Sequence, residues 1–552
     1  GIGGRIWSPR SPSRAVKLTP ASVTTNKLRP ARSKVTLRGR ADIEYAQPNH
    51  VFRTFQATND PRLNQQFHLG LINWPDLMAV LPDKQREVIV GVIDSGIDYR
   101  HEDLAAAIWL NEAEANGRTG VDDDQNGYVD DIRGWDFTDA PTLPGRGDFL
   151  DPDNDPMDES SHGTGVAGVI GAISNNGIGV SGVADCRLMA VRAGLSFDQG
   201  GTFLQEDDLA AAILYAVDNG ADILNLSWGS FDRAFVLEDA IRYAVDRGVV
   251  VIAAAGNEGE PPVGYPAALD DVISVSAVET SGQLASFSST GPTLDLVAPG
   301  VQILSTGLED TYGLRSGSSF AAPQVVGLAA LLLSRRPDLT PGEIRGALVS
   351  STSDLGSSGW DSSFGSGLVD ASQLTKFLTG SEPTTARIFS PSSDGEVAGS
   401  INLTASTSGA NATGFRLSWS LDSEPASWTL IASGSPTSEI ETSWLVPEDI
   451  EDTPVVLRLE VDASDEPRPI EHRVRLRANA SAPSVSSVFF GPILVGDRVS
   501  WTVRWVTRNP TLGSLILLSQ NGFVRDTIRT AKLDRFHEVI LPDQNTAQSL
   551  EF

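Results

Sequence analysis

Of the 552 residues only one is cysteine, Cys186, so no internal disulfide can form and a cysteine-stapled secreted scaffold is excluded. Secretion itself is not excluded, because a large domain can be held by its core or by bound metal. Long apolar runs are also missing. The longest, such as Val88 to Ile93 and Val325 to Leu333, fall far short of the ~20 residues that a membrane-spanning helix needs. Basic residues are scarce: 42 Lys and Arg stand against 71 Asp and Glu, a net charge of −29. Ten of the basic residues lie in positions 1–40, where there is no acid, which leaves the other 512 residues at −39. Such a surface opposes nucleic-acid binding and favours metal cations as partners. The rest of the composition is that of a globular chain, with 40% hydrophobic residues for a core, so wholesale disorder is excluded. At roughly 100 to 200 residues per domain, the length predicts three or four units. The chain opens on Gly rather than Met and shows no basic start followed by an apolar stretch, which implies that a leader was removed or that the chain is a fragment.

Composition shifts mark the expected boundaries. Residues 1–57 form a basic N-terminal segment, rich in Ser, Pro and Arg at first, with one strand-like piece near Ala41 to Ala46. From 58 to 380, short β-branched runs (Val88 to Ile93, Ala221 to Ser227, Val249 to Ala255, Val272 to Val278) alternate with helical stretches such as Glu206 to Asn219 and Leu237 to Arg247. That alternation predicts an α/β domain, a mostly parallel sheet with helices on both faces. After Gly380 the texture turns to Ser, Thr and Pro with period-two segments, Ile401 to Ser406, Gly414 to Leu421 and Val455 to Val461, which predicts an antiparallel all-β sandwich over 381–478. A second β-rich segment, 479–552, holds about five strands, few for a complete sandwich.

Three segments of the α/β region carry chemistry. Val88-Ile-Val-Gly-Val-Ile-Asp94-Ser-Gly delivers a carboxylate at the C-terminal end of an apolar strand, where open α/β sheets place their ligands. Ser161-His162-Gly-Thr-Gly-Val-Ala-Gly opens a small-residue helix with a histidine. Gly317-Ser-Ser319-Phe-Ala-Ala-Pro323 places a serine before the helical run Val325 to Ser334. Each has a plain structural reading: the Asp as a cap of the next helix, the His as a satisfied helix-start residue, the Ser as an N-cap.

Taken together and in this order, the segments resemble the subtilisin-like (subtilase, S8) serine proteases of the calcium-stabilised type with a C-terminal sandwich extension. The resemblance covers about Asn59 to Lys376 and implies that Asp94, His162 and Ser319 are the catalytic triad. Ala253-Ala-Ala-Gly-Asn257-Glu-Gly is similar to the segment that supplies the family's oxyanion asparagine. The absence of Gly-x-Ser-x-Gly, together with the chain order, argues against the α/β-hydrolase arrangement. Some positions depart from the commonest form: Gly165 stands where a second histidine is frequent, Ser318 where threonine is, and Phe320 where methionine is. By the same resemblance Ser227, Trp228 and Gly229 form the edge that pairs with an extended substrate, Ala254 and Gly256 the opposite pocket wall, and Gly264 the pocket floor. These glycines also read as ordinary strand-end and turn glycines.

Two metal signals accompany the motifs. Asp122, Asp124, Asn126 and Asp130 fall at positions 1, 3, 5 and 9 of an EF-hand-like loop with Gly127 at 6, but Arg133 stands where that loop needs its last acid. A solvated acidic loop is the alternative, although the same run resembles an insert of calcium-stabilised family members. Asp60, Asp103 and Asn176 match side chains of the family's tight calcium site, so Ca2+ is the implied cofactor. Asp42 to Asn49 resembles the end of an inhibitory propeptide, and the basic residues before it either lie against the acidic enzyme or are inert. The implied function is a secreted, calcium-dependent serine endopeptidase acting on proteins or peptides, with no nucleic-acid partner and no membrane span; the sandwiches have an unknown ligand. The competing function is a secreted binding or adhesion protein built on an inactive protease scaffold.

Overall fold

The computed structural model describes residues 59–140, 145–197, 202–422, 427–447, 450 and 453–478, and beyond these the strands at 5–6, 16–17, 485–495, 498–511, 514–518, 524–529 and 534–541. The chain falls into two compact units, Gly1–Ala57 and Thr58–Phe552. In the first, Arg5–Ile6 pairs antiparallel with Val16–Lys17. The strand expected near Ala41 to Ala46 and the propeptide-like Asp42 to Asn49 lie outside the described residues.

The second unit is organised around nine strands: β1 (Ile89–Asp94), β2 (Gly134–Asp136), β3 (Arg187–Arg192), β4 (Ile223–Leu226), β5 (Val250–Ala254), β6 (Ile273–Val278), β7 (Leu296–Pro299), β8 (Thr352–Ser353) and β9 (Leu368–Val369). They form one sheet in the order β8-β9-β7-β6-β5-β4-β1-β3-β2, parallel throughout except at the β8–β9 edge. Because helices cover both faces, the inner strands read as unbroken apolar runs rather than alternating ones, and β4, β5, β6 and β7 are buried at every position. Among the described residues the longest helices are α1 (His162–Gly171), α2 (Glu206–Asp218), α3 (Phe235–Asp246), α4 (Ala322–Arg335) and α5 (Pro341–Ser350). The last is held at its start by a capping box between Thr340 and Glu343. Helix α4 buries every one of its residues, which explains why its sequence is apolar all round instead of amphipathic.

Register brings the strand ends to a common edge. Ile93 of β1 lies opposite Leu226 of β4, and Leu226 lies opposite Ala253 of β5, so the residues after all three strands emerge side by side. Helix α1 lies very close to that edge. A Cβ at Gly163 would stand 2.1 Å from the Gly96 carbonyl, and one at Gly168 would stand 2.1 Å from Thr306 Oγ1, so only glycine permits the approach.

Beyond the sheet, Thr385–Ser390, Ser400–Ser408 and Ile440–Leu445 form an antiparallel three-stranded sheet. A five-stranded sheet faces it, in the order Gly395–Val397, Ile470–Ala478, Thr453–Ala463, Ala412–Leu421, Thr429–Gly434. Alternate residues of both, among them Leu403, Leu417, Trp444, Leu457 and Val474, interlock in a core separate from that of the α/β region. Five further strands come after these: Val485–Val495, Arg498–Thr511 and Asp534–Leu541 in one antiparallel sheet, and the hairpin Ser514–Leu518 with Val524–Arg529. No helix among the described residues is long and apolar enough to cross a membrane.

Candidate active site

Asp94 is the last residue of β1 and is 1% exposed. Its Oδ1 accepts from His162 Nδ1 at 2.7 Å and from the Ser95 amide at 2.7 Å. His162 is the first residue of α1 and remains partly exposed. Burial alone would lower its pKa, but the Asp94 carboxylate reverses this and the net direction is upward, with Asp158 adding and the Arg315 cation opposing. The helix start is built by a residue that sequence reading passed over. Asp158, 3% exposed, accepts from Ser95 Oγ, the amides of Ser160, Ser161 and Thr164, and Thr164 Oγ1. It ties the end of β1 to the start of α1. A carboxylate four residues before the histidine, at a helix N-terminus, was its only signal.

Ser319 lies before the long helix, as the sequence order implied, and is not its N-cap. It occupies a short 3-10 turn, Ser318–Phe320, that precedes α4, because Gly317 at φ 145° swings the chain out of helical geometry. The Ser319 carbonyl accepts from Ser227 Oγ at 2.9 Å, so Ser227 holds the serine's own backbone. Among the described residues no hydrogen bond joins Ser319 Oγ to His162 Nε2, in keeping with the loose contacts of uncomplexed sites. The next ring along, Phe320, packs edge-on against the imidazole at 5.5 Å between centroids.

Asn257 follows β5. Its Oδ1 accepts from the Ser318 amide at 2.8 Å and from Ser318 Oγ at 3.0 Å. An amide N–H can only donate, so this bond identifies which end of the carboxamide is oxygen and leaves Nδ2 facing away as a donor. A Cβ placed on Gly317 would lie 3.6 Å from Asn257 Nδ2 and 3.7 Å from the Ser319 amide nitrogen. Two donors thus border one small space, which the missing side chain of Gly317 keeps open.

The segments expected to bind substrate converge next to this space. Trp228 Nε1 donates to the Ile93 carbonyl at 2.9 Å, fixing the chain after β4 beneath the end of β1. Ser230 and Tyr265 exchange backbone hydrogen bonds of 2.9 and 2.7 Å, and the Gly264 amide donates to the Ala255 carbonyl at 2.9 Å. These bonds bring the segments 227–230, 254–256 and 264–265 together. The Gly256 amide donates to Ser318 Oγ at 3.3 Å, which links that wall to the serine turn.

The structure also explains the departure at Gly165. A Cβ there would stand 3.2 Å from Phe320 and 3.4 Å from Arg315 Nε, so those two side chains take the room above it. Arg315 donates to Ser161 Oγ, its Nε is buried without a partner, and no carboxylate pairs with it among the described residues. Nothing in the serine segment marked Arg315 in advance, since its neighbours are brought to it from α1.

Of the metal expectations, the acidic loop is rearranged. Ligand atoms of Glu114, Asp124 and Asp131 lie within 4.8 Å of one another, whereas Asp122 is turned onto the amides of Asn126 and Gly127 and Asp130 onto that of Gly120. Asn126 donates to Asp124 and Asp131 rather than offering them its oxygen. Burial raises Asp131 to about 6, against hydrogen bonds from Tyr215, Asn126 and Asn111. At the second place Asp60 and Asp103 are 5% and 0% exposed, Asn176 Nδ2 donates to Asp103 at 2.6 Å, and Asp60 Oδ1 is buried with no partner. Burial pushes Asp103 upward and the Asp60 charge adds to the push. The first set gathers carboxylate oxygens of the kind a hard divalent cation takes, whereas at the second Asn176 gives its nitrogen to Asp103 and its oxygen accepts from the Ile178 amide. A third acidic group, Asp136, Asp148 and Asp153, already holds the Arg192 guanidinium, 2.9 Å from Asp136.

An open parallel sheet whose carboxyl-edge loops present a paired carboxylate and imidazole, a serine turn and two converging amide donors defines a class of hydrolytic site. The family model of the subtilase family matches residues 85–367, more than half of the chain, and the chain belongs to that family. It is 39% identical to the thermophilic serine proteinase of Bacillus sp. (strain AK1) over 53% of this chain and 64% of that protein. It is 36% identical to the halolysin-like extracellular serine protease Nep of Natrialba magadii over 60% of this chain and 55% of that protein. With the subtilisin of Bacillus pumilus it shares 39% identity over 51% of this chain and 89% of that protein. The chain thus spans under two thirds of the first two relatives' own length.

Proposed function

We propose that this chain is a serine endopeptidase in which Ser319 is the nucleophile, His162 the general base and acid, Asp94 its orienting partner, and Asn257 with the Ser319 amide the oxyanion donors. The observation that carries the reading is the pair of donors, Asn257 Nδ2 and Ser319 N, bordering one space, together with the hydrogen bond between His162 and Asp94. With Nδ1–H given to Asp94, Nε2 is left as the basic nitrogen. It takes the Ser319 proton as the oxygen attacks a peptide carbonyl, and the carbonyl oxygen, now negative, moves into the space between the two donors. His162 then returns the proton to the departing amine, and a water repeats the sequence to release the acid. The presence of all four groups disfavours an inactive scaffold used for adhesion. A covalent serine-hydrolase probe tests this directly: it should label the wild type and not Ser319→Ala, and equal labelling of both would overturn the assignment.

The pocket between 227–230, 254–256 and Gly264 favours a large apolar side chain before the cleaved bond, because no side chain rises from its floor. Glu114, Asp124 and Asp131, and separately Asp60 and Asp103 with Asn176, would hold calcium, whose charge would stabilise the fold. Secretion is supported by the extracellular relative. The strand order of the paired sheets supports an Ig-like sandwich over 381–478 following a catalytic domain at 58–380, with 479–552 as a separate β-rich domain.

A further inference from the structure

The β-sandwich touches the catalytic region at the back of the pocket floor. Between the strands Thr385–Ser390 and Gly395–Val397 the chain turns through residues 391–394. Ser393 donates from its amide to Asp270 Oδ2 at 2.8 Å and from its hydroxyl to Asp270 Oδ1 at 2.5 Å. The Ser393 carbonyl accepts from Arg233 Nη1 at 3.2 Å, and Arg233 is itself held by both oxygens of Glu238. The next residue, Asp394, accepts from the hydroxyl of Tyr265. Asp394 is steadied from its own side, with its amide donating to the Arg475 carbonyl and its Oδ1 3.6 Å from the Arg475 guanidinium.

These contacts grip both ends of one short loop. Gly264 begins it as the pocket floor, Tyr265 carries the backbone bonds to Ser230 on one wall, and Asp270 closes it before β6. The loop has no helix or strand of its own beyond the single bridge to Ser230; Ala267 and Ala268 are buried in the core, turn bonds run from Ala268 to Gly264 and from Leu269 to Pro266, and Arg345 donates to the Asp270 carbonyl at 2.8 Å. The sandwich turn thus adds a side-chain hold at each end, on Tyr265 and on Asp270, to the backbone bonds between Tyr265 and Ser230.

We propose that Ser393 and Asp394 of the sandwich are positioning residues for the specificity pocket, so that the C-terminal domain sets the depth of the floor and with it the choice of residue before the cleaved bond. This rests on the endopeptidase reading above. The hydroxyl of Tyr265 is the link: it cannot keep its bond to Asp394 unless the floor stays back, which leaves room for a large ring. A sandwich serving only as a tether or a surface-binding module would have no reason to influence pocket selectivity.

The test is a steady-state comparison of full-length wild type, Asp394→Ala and Tyr265→Phe on two peptides that differ only in Phe or Ala before the cleaved bond. Each variant is expected to lower the Phe-to-Ala ratio of kcat/KM by about five- to tenfold, mainly through KM, with the Ala peptide turned over within about twofold of wild type. Combining the two substitutions should add nothing, because both cut the same bond. A ratio unchanged in both variants, or the same loss on both peptides, would overturn the proposal. If Asp394→Ala fails to fold, Tyr265→Phe, which removes one oxygen, decides alone. Failure of wild type to cleave either peptide would instead sink the endopeptidase reading.

Discussion

Replacing Asn257 with alanine removes one oxyanion donor while leaving the triad in place. The loss of one such donor costs about 3 to 4 kcal/mol in the transition state, or roughly 10² to 10³ in kcat, with KM little changed because the bond forms only to the charged oxygen. The structure grades the effect. Asn257 is aimed by two bonds to its Oδ1, from the Ser318 amide at 2.8 Å and from Ser318 Oγ at 3.0 Å. Ser318→Ala deletes only the second, so the amide bond still orients the side chain. One neutral hydrogen bond of about 0.5 to 1.5 kcal/mol then corresponds to about a two- to tenfold fall in kcat. Asn257→Asp keeps the acceptor for Ser318 but turns an acceptor towards the oxyanion, and should be worse than alanine. Steady-state assays on one peptide ester and one anilide, with single-turnover acylation, separate kcat from KM. Similar kcat for wild type and Asn257→Ala, or a larger loss for Ser318→Ala than for Asn257→Ala, would refute the reasoning.

The His162 pKa lies above the ordinary histidine value, and the base must be neutral to act, so activity should rise with pH through a limb above the usual range. Removing the opposing cation with Arg315→Leu should move that limb to still higher pH, as read from kcat/KM profiles; a limb that stays put would mean that solvent screens the guanidinium. Added calcium should raise the melting temperature relative to chelator, by a stabilisation of about 2.7 kcal/mol at a hundredfold excess over Kd. Glu114→Gln with Asp131→Asn should remove part of that dependence and Asp60→Asn another part, whereas identical melting curves would show that these carboxylates bind no ion. Gly264→Glu should shift cleavage towards Lys or Arg by adding a carboxylate to the pocket, once the Ser230 carbonyl, 3.3 Å from the added Cβ, gives by a few tenths of an ångström; a peptide panel with unchanged preference would place the floor elsewhere.

Much of this site could be read from the chain because its parts are local. Asp94 ends an apolar strand, His162 starts a glycine-rich helix and Asn257 follows a buried strand, and each of these is a short-range pattern that backbone sterics and burial translate directly into structure. The change of composition near 380 likewise accompanies a second core, built from alternate residues of paired strands. Other features depend on groups far apart in sequence. In the acidic loop, Asp122 and Asp130 accept from backbone amides of the loop, and Glu114 and Asp131, far apart in sequence, come within 4.8 Å of Asp124, an arrangement that spacing alone does not encode. Asp158 and Ser227 act through backbone groups of other elements, the starts of α1 and of the serine turn.

The sequence by itself determined which chemical groups are available and in what order, since strand and helix periodicity and the four motifs are properties of neighbouring residues. Only the tertiary structure decided how those groups face one another. Whether Arg315 and Phe320 would fill the room above Gly165, and whether Asp394 would reach Tyr265 across 129 positions, depend on long-range packing, in which every contact is chosen by the shape left by all the others.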